Sequence, residues 1–219
     1  MNDTSLLDAF AHLDSAVVSD ALDALGKPRG IGGIVPVSGA SKIVGFAVTV
    51  ELEPYTPGLS GPHIATDAVA SAGRDDVIVV ANNGRTDVSC WGGLLSLGAN
   101  LRGVRGTVAD GCCRDITEAR ELGYPVFSRG GNPTTARGRL QQKSTGMPVE
   151  IAGVRVAPGD IVLADETGTV FVPREHAPEV LTEALAIAAR ERSIAEDMRN
   201  GIALPDAMHD ARLAGSDGK

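Results

Sequence analysis

Apolar residues recur at helical spacing near the start of the chain, at Leu6, Leu7, Phe10 and Leu13, and predict a first helix. A second runs through Ala21, Leu22 and Leu25, with Ser15 or Ser19 as its N-cap and Gly26 and Pro28 as its stop. Residues 29–40, rich in Gly and Pro, read as a loop. Ile43, Val44, Phe46, Val48, Val50 and Leu52 predict a strand over 42–53, and 54–62 a connection. Residues 64–72 read as a helix, and 76–81 (DVIVVA) as a strand buried on both faces. Helix 92–102, strand 106–110, helix 115–122 ended by Gly123, and strand 125–128 complete a β-α-β-α-β alternation, which predicts parallel pairing.

The pattern changes after Asn132. Residues 132–147 are polar, with Arg137, Arg139 and Lys143, and read as a surface segment. Residues 149–156, around Gly153, predict a hairpin, and 160–164 and 169–172 flank a turn at Asp165-Glu166-Thr167-Gly168. A long helix from about 174 to 198 has Val180, Leu181, Leu185, Ile187 and Ile194 as its apolar side, and 200–219 read as a tail. There is no internal repeat or domain boundary. The expectation is one α/β domain over 1–219, with N-terminal helices, a long C-terminal helix and a core over about 16–195.

Composition narrows the function classes. With aromatics at 3%, the core must be built from aliphatic residues, a poor palette for stacking bases. A formal net charge of -8 repels phosphate backbones, so no nucleic-acid partner is expected. Cys90, Cys112 and Cys113 lack the number and spacing of a disulfide framework or zinc site, which fits a reducing compartment. With no signal peptide and no apolar run long enough to span a bilayer, no membrane partner is expected and the localisation is read as cytoplasmic.

Candidate chemistry concentrates at Trp91-Gly92-Gly93-Leu94-Leu95 and Arg114-Asp115-Ile116-Thr117-Glu118, on either side of strand 106–110. Free N–H groups at a helix entrance bind anions. A guanidinium grips a carboxylate through paired hydrogen bonds, and a neighbouring acid can hold a hard divalent cation. In a parallel sheet both turns fall at the carboxyl ends of the strands, where ligands bind. The plainer alternative makes Asp115 and Glu118 a helix cap with its reciprocal glutamate. Asp160 and Asp165 read as turn residues, Asp20 as a cap or packing contact, and His63 as an isolated loop residue. No nucleophile–base pair is evident around the cysteines.

The stretch WGGLLSLGANLRGVRGTVADGCCRDITEARELGYPVFSRG resembles the core of the RraA-like family, with supporting matches at VVSDALDALG and PGDIVLADETGTVFVP. That family includes regulators of ribonuclease E and metal-dependent aldolases acting on 4-hydroxy-4-methyl-2-oxoglutarate and related acids. The resemblance implies a swivelling-domain-like α/β core, assembled as a homotrimer or a dimer of trimers with the site between subunits. It implies a small 2-oxo acid substrate and Mg²⁺ or Mn²⁺ as cofactor. Arg114 is then the substrate arginine, Asp115 the metal ligand, and Gly93, Leu94 and Leu95, after Gly92, the amide donors. An acid from the neighbouring subunit supports the metal's water; Glu191 is the candidate, with Glu196 behind it. Many aldolase members carry an acid at the position of Gly93, and Glu118, one helical turn beyond Asp115, is the candidate replacement. The expected activity is pyruvate aldolase, oxaloacetate decarboxylase or both, through a pyruvate enolate. The alternative is a non-catalytic trimeric regulator that binds a ribonuclease. A methyltransferase reading lacks a glycine-rich nucleotide loop.

Overall fold

The computed structural model describes residues 3–58 and 61–209. Helices α1 (Asp3–Ala11) and α2 (Ser15–Ala24) lead to β1 (Val35–Ser38) and β2 (Ile43–Pro54). Helix α3 (Thr66–Ser71), β3 (Asp76–Trp91), α4 (Gly93–Leu101), β4 (Gly106–Cys113), α5 (Ile116–Glu121) and β5 (Val126–Ser128) form the alternating core. After it come β6 (Leu140–Thr145), β7 (Val149–Ile151), β8 (Val154–Val156), β9 (Ile161–Ala164) and β10 (Thr169–Val172). A 3₁₀ turn at Arg174–His176 enters the long α6 (Ala177–Arg199), and α7 (Leu204–Ala207) follows.

Eight strands form one curled sheet in the order β1-β5-β4-β3-β2-β9-β10, with β6 also on β2. Strands β2, β3, β4 and β5 are parallel, as the alternation requires. Strand β9 pairs with Ile43 to Phe46 of β2 and β6 with Val50 to Pro54, so one long strand serves two antiparallel partners in succession. The period-two pattern of β3 is used on both faces. Val77, Val79 and Ala81 point to one apolar cluster, shared with the β7–β8 hairpin, and Ile78 and Val80 to another under α3, α4 and α5. Each of these buried Val and Ile side chains contributes roughly 1.5–3 kcal/mol of transfer free energy. A third cluster joins α1, α2 and α6 to β9 and β10.

Several expectations need correction. The loop over 29–40 contains β1, antiparallel to β5 and tied to it by Ser38 Oγ donating to the Tyr124 carbonyl at 2.9 Å. The surface segment over 132–147 contains β6, which covers an edge of β2 that would otherwise be unpaired. Strand 76–81 continues to Trp91 through three register irregularities, and strand 106–110 continues to Cys113. The cap of α2 is neither Ser15 nor Ser19: Asp14 Oδ1 accepts the Val17 N–H at 2.8 Å. The hairpin around Gly153 forms as expected, Ala152 and Gly153 supplying the consecutive positive φ angles of a tight primed turn (50° and 84°). Of the expected tail, 200–209 are described and include α7; 210–219, and positions 59–60 of the 54–62 connection, lie outside the described residues.

Candidate active site

The site is created by strand register. Trp91 at the end of β3 pairs with Cys113 at the end of β4, and the Arg114 N–H donates to the Trp91 carbonyl at 2.9 Å. Gly92-Gly93 and Arg114-Asp115 therefore leave adjacent strands side by side, each turning into a helix. Trp91 is buried and its Nε1 donates to Ser96 Oγ at 2.9 Å, which fixes the first turn of α4 on the strand end.

Asp115 precedes α5 in the left-handed region (φ 58°), a conformation aspartate tolerates better than most residues. Its carboxylate makes no capping bond to α5. It turns instead to the neighbouring helix, where Oδ2 accepts the Gly93 N–H at 3.0 Å and the Arg114 Nε–H at 3.0 Å. The capping-box expectation for Asp115 and Glu118 is thus overturned: the acid caps α4, whose first free amide it satisfies. Of the three expected amide donors, Gly93 is engaged within the chain. Leu94 and Leu95 remain first-turn N–H groups with no acceptor inside the helix. The Nη groups of Arg114 have no partner among the described residues, and its side chain is 40% exposed against 28% for Asp115.

Both glycines are explained by what lies against them. A Cβ on Gly92 would stand 3.0 Å from Asp115 Oδ2 and 3.2 Å from Arg114 Cγ. One on Gly93 would stand 2.0 Å from Glu118 Oε2 and 3.1 Å from Asp115 Cβ. The Glu118 carboxylate therefore fills the space that a side chain at 93 would need, beside Asp115. Among the described residues no group of three or more His, Cys, Asp or Glu side chains could hold a metal ion. Two carboxylates are nevertheless a suitable donor set for Mg²⁺, which retains several waters and takes one or two protein carboxylates.

A cavity of ≈ 470 Å³ opens at these turns, lined by Trp91, Gly93, Arg114 and Asp115 and, from elsewhere in the chain, by His63 and Arg137. His63 and Arg137 carry no sequence signal beyond lying in polar loops; only the pairing of β6 with β2 folds their segments together. Glu191 does not line this cavity. It stands on α6 in a separate groove with Asp20 and Glu183, so a single chain does not bring it to Arg114. Asp160 and Asp165 act as the turn residues expected: Asp160 accepts the Ala157 and Arg174 N–H groups, and Asp165 those of Thr167 and Gly168. Burial pushes all three thiols upward, Cys90 most strongly with the thiols of Cys113 and Cys112 adding to it, so none is a ready nucleophile.

Comparison with known proteins places these features in context. The sequence model for Aldolase/RraA, of the RraA-like family, matches residues 15–171. Protein DlpA of Legionella pneumophila is 34% identical over 94% of this chain, which spans only 34% of that protein's length. A Halalkalibacterium halodurans protein named provisionally as a 4-hydroxy-4-methyl-2-oxoglutarate aldolase is 29% identical, over 86% of this chain and 88% of its own. An uncharacterized Pseudomonas syringae protein of known structure superposes with a TM-score of 0.85 at 37% identity, covering 93% of this chain and 92% of that one. RraAS2 of Streptomyces coelicolor, described as an unusual member of the RNase ES inhibitor RraA family, superposes at 0.82 with 29% identity, covering 91% of this chain and 100% of its own.

Proposed function

As this chain belongs to the RraA-like family, we propose that it is a divalent-metal-dependent lyase acting on 2-oxo acids through a pyruvate enolate. It would serve as a 4-hydroxy-4-methyl-2-oxoglutarate-type aldolase, an oxaloacetate decarboxylase or both. The observation that carries the reading is the meeting of Arg114, Asp115 and the α4 entrance at one cavity. Relatives named provisionally as aldolases support the substrate class.

Asp115 and Glu118 are the residues that would hold Mg²⁺ or Mn²⁺. When bound, the ion supplies Lewis-acid polarisation of the 2-oxo group. The Arg114 guanidinium, steadied by its Nε contact to Asp115, offers its Nη donors to the substrate carboxylate. The Leu94 and Leu95 amides add positive partial charge at the same end of α4. In aldol cleavage a water in the open cavity takes the C4 hydroxyl proton as C4 becomes a carbonyl, the C3–C4 bond breaks with its electron pair left on the pyruvyl unit, and the enolate is then protonated at C3 to give pyruvate. Loss of CO₂ from oxaloacetate leaves the same enolate, so one set of fixed donors serves both reactions.

In this reading the chain works as a homotrimer or dimer of trimers, and Glu191, with Glu196 behind it, comes from the neighbouring subunit. Leu94, which lines the cavity, and Leu101, at the far end of α4, are 86% and 78% exposed, apolar side chains that such a neighbour would cover. A second reading, a regulator that restrains a ribonuclease without catalysis, draws on the likeness to RraAS2.

The deciding experiment measures pyruvate release from oxaloacetate and from 4-hydroxy-4-methyl-2-oxoglutarate by chelated protein, with and without added Mg²⁺ or Mn²⁺. Asp115→Asn, which keeps a residue tolerant of the left-handed region, is run alongside. Turnover that depends on metal and falls by about 10²-fold or more in the variant is expected. No protein-dependent turnover on either substrate favours the regulator, and an unimpaired Asp115→Asn removes the site.

A further inference from the structure

Ser96 is buried near the start of α4, where alanine is the better helix former and a hydroxyl bonding back to the i−4 carbonyl gains the helix little. What the serine connects explains its presence. Trp91, the only tryptophan of the chain, is buried beside it, and an indole N–H can only donate. Trp91 Nε1 donates to Ser96 Oγ at 2.9 Å, and the hydroxyl in turn donates to the Gly92 carbonyl at 3.2 Å. The Ser96 N–H donates to the same carbonyl at 3.0 Å.

That carbonyl belongs to the peptide unit between Gly92 and Gly93. Glycine on both sides leaves the orientation of such a plane without side-chain restraint. A peptide unit is itself rigid, so two bonds on its carbonyl also aim the N–H at its other edge. The Gly93 N–H is the group that Asp115 Oδ2 accepts at 3.0 Å. Asp115 needs such a restraint, because its backbone is left-handed (φ 58°) and its carboxylate does not cap its own helix. Its Oδ1 has only a 3.3 Å contact from Arg114 Nε, which leaves that oxygen for a ligand, and its direction follows from where Oδ2 is held. An unbroken series of hydrogen bonds therefore runs from the indole through Ser96 and the Gly92–Gly93 peptide to Asp115, each bond polarising the next.

We propose that Ser96, with Trp91 behind it, is a positioning residue for Asp115. The series presets the carboxylate for a divalent cation, and the Trp91 indole at its far end senses the arrival of the ion. This rests on the reading of Asp115 as a residue that holds the ion.

Two measurements on the whole chain test the proposal without turnover. The electron paramagnetic resonance signal of free Mn²⁺ reads ion binding, and the emission of Trp91 under Mg²⁺ reads the other end of the series. Ser96→Ala is expected to weaken Mn²⁺ binding at least about tenfold, as loss of a group that orients a metal ligand does. It is also expected to remove the emission change that saturating Mg²⁺ produces in wild type. Ser96→Thr, which keeps the hydroxyl, is expected to retain both, with melting curves as the control for folding. Wild-type Mn²⁺ affinity in Ser96→Ala, or equal weakening in Ser96→Ala and Ser96→Thr, overturns the positioning role while the ion site stands. So does an emission response to Mg²⁺ that is the same in Ser96→Ala as in wild type. Mn²⁺ binding that is absent from wild type, or undiminished in Asp115→Asn, overturns the reading of Asp115 and this inference with it.

Discussion

Gly93 and Glu118 compete for one space, so that the Glu118 carboxylate must move if position 93 carries a side chain. With a Cβ at 93 falling 2.0 Å from Glu118 Oε2, the acid that resemblance to the aldolases leads one to expect at 93 is incompatible with Glu118 where it stands. In this chain the carboxylate beside position 93 comes from α5 instead of from α4. Gly93→Ala forces the flexible end of Glu118 aside and sets its Cβ 3.1 Å from Asp115 Cβ, a tight contact but with no backbone atom among the three nearest, so the melting temperature should fall only slightly. Displacing a group that orients a metal ligand costs about 10–100-fold in metal affinity. The Mg²⁺ concentration for half-maximal pyruvate release should therefore rise by at least about tenfold in Gly93→Ala. An unchanged metal titration would mean that Glu118 takes no part in holding the ion.

At the scale of elements, Asp165 joins the β9–β10 turn to the start of α2. Its carboxylate accepts both the N–H and the Oγ–H of Ser15 at 2.7 Å, besides the Thr167 and Gly168 amides. Burial opposes its ionisation, but the bonds from Ser15, Thr167 and Gly168 outweigh it and hold the carboxyl below its ordinary value. A depressed carboxyl adds stability that is full above the unfolded value, about 3.9, and is lost as pH falls through the folded one. Asp165→Asn should cost about 2 kcal/mol at neutral pH, and denaturant midpoints taken from pH 6 to pH 3 should decline less steeply in the variant than in wild type. Parallel pH profiles would place the acid sensitivity elsewhere.

The same scale explains what could be read in advance. The alternation of β2 to β5 with its helices was legible because apolar periodicity reports burial directly, as Ile78 and Val80 against Val77 and Val79 illustrate. Arg114 and Asp115 were legible because strand register brings two adjacent βα turns together. Strands β1 and β6 were not, since their pairing is set by partners distant in sequence and β6 carries the polar run Gln141, Gln142 and Lys143. The conformation of Asp115 was hidden too: its residue type fits a cap, and only the neighbouring strand reveals that it caps another helix.

For the whole molecule the open element is the second acid. Helix α6 packs on α2 in an apolar cluster separate from that beneath α4 and α5, so Glu191 can serve Arg114 only from another copy of the chain. Such an arrangement has a consequence that no single-chain site shares. Asp115→Asn and Glu191→Gln homo-oligomers should each be inactive, yet a chain carrying one lesion retains the residue the other lacks. When the two are dissociated and reassembled together at equal concentration, random assortment in a closed ring should rebuild about a quarter of the sites with both residues intact. Metal-dependent pyruvate release should return to about that fraction of wild type, while either variant put through the same cycle alone stays silent. A Glu191→Gln protein that is fully active would exclude that acid, and inactive variants that never complement one another would require Asp115 and Glu191 to act within one chain. Introducing Leu101→Arg, on α4 outside the cavity lining, into both should abolish the recovery by lowering the assembled mass toward the 22.5 kDa monomer in sedimentation, which ties complementation to contact between copies and not to a trace of wild-type enzyme.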